Sequence, residues 1–135
     1  MTRLTIPRPI LDEMIAHARG CLPAEGCGFL AGVGGRVTHL LPLVNELASP
    51  TAFHTEARSV FAAFKAMRAA GTDLLAVYHS HPTAAPIPSR RDIEQNTYGP
   101  TVAWVIVGAG DEVRAWWLGE DGYTEAEMVV GEPGA

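Results

Sequence analysis

Ile10, Leu11, Met14, Ile15 and Ala18 recur at helical spacing, and Gly20 supplies a stop, which predicts a first helix. The apolar run "GCGFLAG" and the segment "RVTHLLPLV" flank a Gly34-Gly35 turn and predict a hairpin. Thr55 is placed to cap a second helix whose apolar face holds Val60, Phe61, Phe64 and Met67 and which ends at Gly71. "DLLAVYHSH" lies between that glycine and Pro82 and reads as a buried central strand. Ser89 opens a short third helix, expected to run to about Thr97. "TVAWVIV", "EVRAWWL" and "YTEAEMVV", separated by "GAGD" and "GEDG", predict a three-stranded meander. The expected fold class is mixed α/β, a largely antiparallel sheet flanked by helices.

Composition narrows this further. With 135 residues, 47% of them hydrophobic and 19% charged, the whole chain is expected to form one domain, residues 1–135. Its formal charge of −5 argues against a surface that tracks phosphates, so no nucleic-acid partner is expected. No apolar run reaches membrane-spanning length, and the first residues, "MTRLTIPRPILDEMIAHA", lack the apolar stretch of a secretion signal. The expectation is a cytoplasmic protein without a membrane partner. Cys21 and Cys27, six apart, are then expected as reduced thiols. Residues 131–135, "GEPGA", read as a frayed tail.

The candidate chemistry sits in "YHSHPTAAPIPSRRD", residues 78–92. His79 and His81 are two apart at a strand end, so both imidazoles project from one face and can reach one metal ion. Ser80 points to the other face. Asp92 follows a segment stiffened by Pro82, Pro86 and Pro88 that can fold back to present a carboxylate. Two histidines and one carboxylate leave a fourth tetrahedral position open, the pattern of a catalytic zinc site. Ser89-Arg90-Arg91-Asp92 also reads as a capping box with Asp in place of Glu. The spacing alone leaves both readings open, and they are compatible, because a capped helix holds Asp92 still.

His79-x-His81, seven residues, Ser89, two residues, Asp92 resembles in every interval the signature of the JAMM (MPN-plus) metallopeptidases. Upstream, "PAEGCGFLAG" places Glu25 in a Glu-x-x-Gly-apolar-apolar-x-Gly setting similar to that family's glutamate. The short chain resembles the stand-alone prokaryotic members. The resemblance implies the JAMM/MPN fold, a curved cytidine-deaminase-like sheet, and one zinc ion per chain held by His79, His81 and Asp92. It implies Glu25 as the catalytic proton carrier and Ser89 as the catalytic donor to the developing oxyanion. The implied reaction is zinc-dependent hydrolysis of peptide or isopeptide bonds after the C-terminal Gly-Gly of a ubiquitin-like or sulfur-carrier partner protein.

The alternative is a non-catalytic MPN-type scaffold or partner-binding module, whose members lose metal ligands that this chain retains. A zinc deaminase needs His-x-Glu followed by Pro-Cys-x-x-Cys, and the chain has neither. His17, His39 and His54 lack ligand spacing and read as structural or surface residues. Cys27 reads as a buried free thiol. Trp116 and Trp117 must face opposite sides of their strand, which would leave one exposed as a partner or homodimer contact.

Overall fold

Eight strands and three helices alternate along the chain in the computed structural model, which describes residues 3–120 and 122–131. In order they are β1 (Leu4–Pro7), α1 (Arg8–Cys21), β2 (Cys27–Val33), β3 (Arg36–Leu43), α2 (Ala57–Ala70) and β4 (Asp73–Ser80), followed by α3 (Arg90–Glu94), β5 (Ala103–Val107), β6 (Val113–Leu118), β7 (Tyr123–Ala126) and β8 (Met128–Gly131). One mixed sheet has the order β7-β6-β5-β4-β2-β3-β1-β8. The consecutive strands β7 and β8 lie at its two ends, so the sheet curls until it is nearly closed. Its centre, β3-β2-β4, is antiparallel, whereas β4-β5, β1-β3 and β1-β8 are parallel.

Both faces are covered, which is why β2, β4 and β5 read as continuous apolar runs rather than alternating ones. Leu11, Met14 and Ala18 of α1 pack with Leu30, Ala76, Tyr78 and Val105 on one face. Ala63 and Met67 of α2 pack with Phe29, Val77, Trp104 and Ile106 on the other. The two-residue period sends Val77 and His79 to the α2 face and Tyr78 and Ser80 to the α1 face. Gly28 pairs with Tyr78 across β2 and β4, and a Cβ there would lie 2.3 Å from the Tyr78 ring. The missing side chain is the space that ring occupies, with its hydroxyl 2.9 Å from His17 Nδ1.

The sequence reading missed β1, and α1 starts at Arg8, where Pro9 in the first turn costs no helical hydrogen bond. Gly20 does not stop α1, which continues to Cys21. Glu56, not Thr55, precedes α2, and it makes no side-chain cap; Thr55 instead bridges Asn45. The buried stripe of α2 follows Val60, Ala63 and Met67, so two residues of the expected apolar face fall outside it. Phe61 is 73% exposed, and Phe64 is 44% exposed with one side of its ring against Phe29. Gly71 does end α2, at φ 68°, in the left-handed conformation glycine adopts freely. α3 stops at Glu94 because Asn96 Oδ1 accepts from Tyr98 N and Trp104 Nε1, which turns the chain. "YTEAEMVV" is two strands, broken at Glu127, whose carbonyl accepts from Leu4 N.

Neither tryptophan of the pair is exposed. Trp116 is buried, and Trp117 is half-buried against the opposite core. Among the described residues no helix is long and apolar enough to cross a membrane. The expected frayed tail, residues 131–135, lies outside the described residues except for Gly131, which ends β8.

Candidate metal centre

His79 and His81 leave the C-terminal end of β4, where Ser80 N donates to Gly26 O and His81 N to Val107 O. Their Nε2 atoms lie 3.2 Å apart. The chain then loops over residues 82–88 and is fastened at three successive carbonyls. Ala84 O accepts from Ala109 N at 2.9 Å, Ala85 O from His81 Nδ1 at 2.8 Å, and Pro86 O from Trp116 Nε1 at 2.9 Å. These ties return the chain to the site, where Ser89 caps α3. Ser89 Oγ accepts from Asp92 N at 3.1 Å, and Ser89 N donates to Asp92 Oδ2 at 2.9 Å. The capping box is real, and it aims the carboxylate. Asp92 Oδ1 stands 3.1 Å from His79 Nε2, and Oδ2 stands 3.3 Å from His81 Nε2.

The donor set fits a metal ion. A carbonyl only accepts, so His81 must donate from Nδ1 to Ala85 O, and its neutral ring turns a lone pair outward at Nε2. That lone pair faces a carboxylate oxygen and a second imidazole nitrogen. Three such donors converging in a buried site repel one another unless a cation or proton lies between them. His79, His81 and Asp92 are the group among the described residues that could hold a metal, their ligand atoms lying within 4.8 Å of one another. The hydrogen bond to Ala85 is the kind of outer tie that fixes the tautomer and orientation of a ligating histidine.

The electrostatics follow from burial and pairing. Burial works against the Asp92 charge, but hydrogen bonds to His79 and His81 outweigh it and hold the carboxyl well below the usual range. Burial pushes His79 below its ordinary value, with Asp92 opposing. For His81 burial pulls down, but Asp92 and Ala85 O together raise it.

Glu25 precedes β2 in a short irregular segment. Its side chain is buried at 4% exposure, and Oε1 has no protein hydrogen-bond partner. Burial pushes this carboxyl up to about 7. Glu25, His81 and Ser89 line one cleft of about 140 Å³ with Pro50, Thr51 and Thr83. The structure therefore brings all five expected residues to one place, three as a cluster and two around the adjoining cleft. Such an arrangement can hold a metal ion, bind water beside it and move a proton at Glu25.

Other candidates stand apart. Ser80 Oγ accepts from Gly26 N at 2.8 Å and so braces the Glu25 segment from behind the strand. Cys27 is fully buried, and burial raises its thiol to about 12, so it stays inert. His17 bonds Tyr78, and His54 lies beside Glu46 at the surface. The sequence reading missed Phe53, whose ring stacks on His79 with centroids 4.8 Å apart. It also missed Asn45. Neither carries a spacing signal, since both belong to an irregular loop between β3 and α2.

Residues 7–119 match the family model described as prokaryotic homologs of the JAB domain. A Thermus thermophilus protein named "Probable TtuB-protein conjugate cleaving protease" is 41% identical over 128 residues, covering 94% of this chain and 82% of the relative. A Mycobacterium tuberculosis protein named "CysO-cysteine peptidase" is 32% identical over 135 residues, covering 96% of this chain and 92% of the relative. Among solved structures, a Desulfitobacterium hafniense protein superposes with a TM-score of 0.85 at 31% identity, covering 96% of this chain and 93% of that one. A likeness that runs through both the fold and the sequence has one reading: the chain belongs to the prokaryotic JAB-domain family, a prokaryotic branch of the JAMM/MPN metallopeptidases.

Proposed function

We propose that this member of the family is a zinc-dependent hydrolase that cuts the peptide or isopeptide bond following the C-terminal Gly-Gly of a ubiquitin-like or sulfur-carrier protein. The observation that carries the reading is the convergence of His79 Nε2, His81 Nε2 and Asp92, all within 3.3 Å, beside the buried Glu25 carboxyl. His79, His81 and Asp92 would hold one zinc ion per chain. Zinc, when bound, supplies an acidified water and a polarised scissile carbonyl. Glu25 takes the water's proton and returns it to the leaving amine. The Ser89 hydroxyl accepts from Asp92 N and still has its own proton to donate, and it gives that proton's hydrogen bond to the carbonyl oxygen as negative charge develops.

Ser89→Ala separates that role from capping. Turnover of a Gly-Gly carrier fusion is expected to fall by about 10²–10³-fold with zinc retained, as for other oxyanion donors. Loss of the cap alone costs about 1 kcal/mol of stability. A lower melting temperature with unchanged turnover would leave Ser89 a cap and nothing more.

The cleft beside Glu25 is small, and a neighbouring cleft of about 290 Å³, lined by Phe53, Thr55, Tyr98 and Trp104, borders the same loop. An extended tail laid along that loop would meet both, with glycines where a side chain would not fit. Replacing the terminal Gly of the carrier by Val is expected to slow cleavage by at least about 10²-fold, the cost of displacing the reacting carbonyl by an ångström. Mass spectrometry on paired fusions reads the difference, and equal cleavage of both would mark a general peptidase. A cytoplasmic setting accords with the free thiols Cys21 and Cys27.

A further inference from the structure

Glu25 lies outside any strand, so no sheet ladder fixes where its carboxylate points. Its backbone is held instead by the loop between β3 and α2. Glu25 N donates to Ser49 O at 2.8 Å, and Glu25 O accepts from Asn45 Nδ2 at 3.1 Å.

Asn45 uses its whole side chain. Nδ2 also donates to Ala52 O at 3.1 Å, while Oδ1 accepts from Leu47 N at 3.1 Å and His54 N at 3.0 Å. Two donors and two acceptors exhaust what an amide offers. The acceptor half closes the loop on itself, together with the Asn45–Thr55 bridge and Glu46 N donating to His54 O. The donor half ties that closed loop to Glu25 and holds Ala52, the residue before Phe53. Phe53 then stacks on His79, and Pro50 and Thr51 of the same loop wall the cleft beside Glu25. Gly26, the residue after Glu25, is fastened to the metal-binding segment by Gly26 N donating to Ser80 Oγ and Ser80 N donating to Gly26 O. Asn45 adds the tie that holds Glu25 itself from the side of the loop that carries Phe53.

We propose that Asn45 is the positioning residue that holds Glu25 in register with His79, His81 and Asp92. This rests on the proposed role of Glu25. A buried carboxylate on an irregular segment can lose that register by a fraction of its own length, and misplacement by about 1 Å costs on the order of 10²-fold in rate.

Asn45→Asp isolates the tie, because the carboxylate keeps both acceptors that close the loop and loses both donors. With a Gly-Gly carrier fused to a C-terminal peptide as substrate, kcat is expected to fall by about 10²-fold while KM and zinc content stay near wild type. Hydrogen–deuterium exchange should accelerate at the Glu25 amide and remain slow in β2 and β4. In a Glu25→Gln background the same substitution should cause no further loss, since nothing remains to be positioned. Unchanged kcat in Asn45→Asp, losses that multiply in the double variant, or loss of zinc would each overturn the proposal. Normal turnover by Glu25→Gln alone would remove the reading of Glu25 on which it rests. If Glu25→Gln is inactive and Asn45→Asp is not, only the positioning role fails.

Discussion

Glu25→Gln is expected to keep its zinc and its substrate affinity yet lose hydrolysis by about 10²–10⁴-fold, the contribution of a positioned general base. The substitution preserves size and burial, so the cleft keeps its shape. What it removes is the capacity to take a proton. Burial has already pushed the Glu25 carboxyl up to about 7, so it can accept a proton and release it again near neutral pH. Its Oε1 has no protein partner competing for that proton. Single-turnover cleavage and elemental analysis on the same preparation check both halves. Zinc lost from the variant would make Glu25 a ligand, and undiminished cleavage would end its role as proton carrier.

His79→Ala, His81→Ala and Asp92→Ala are each expected to abolish both zinc binding and cleavage. With only two of three ligands left, a tetrahedral site loses the geometry that sets its affinity. Asp92 needs a second variant because it also accepts from Ser89 N at 2.9 Å. Asp92→Asn keeps an acceptor for that cap and removes the anionic ligand. It should therefore melt near wild type while failing to retain zinc. Near-stoichiometric zinc in all of these variants would place the metal elsewhere.

The sequence made the site more legible than the fold around it. Alternation along a strand is enough to put His79 and His81 on one face, and the Ser89-to-Asp92 interval is a local helix-capping signal, so both survive without knowledge of the tertiary structure. β4 was recognisable because a strand covered on both faces is apolar throughout. The misses arise where tertiary pairing decides. β1 is four residues long and is a strand only because β3 and β8 flank it. Nothing local says that "YTEAEMVV" breaks at Glu127 and sends its halves to opposite ends of the sheet. Phe61 and Phe64 read as core because they are aromatic and near the right phase, but the smaller Ala63 and the flexible Met67 take the buried stripe and leave both rings exposed. Asn45 was invisible for the same reason: its partners, Glu25 and Ala52, are brought to it by the fold.

Metal-dependent cleavage after Gly-Gly can be read in a single experiment. A carrier protein ending in Gly-Gly, fused to a C-terminal peptide, is incubated with the protein as purified, after chelation, and after chelation followed by added zinc, and the products are weighed by mass spectrometry. The expected result is a single cut directly after Gly-Gly, lost on chelation, restored by zinc, and not restored in His79→Ala. A cut that persists undiminished in the metal-stripped protein, or a carrier left intact by the zinc-loaded one, would contradict it.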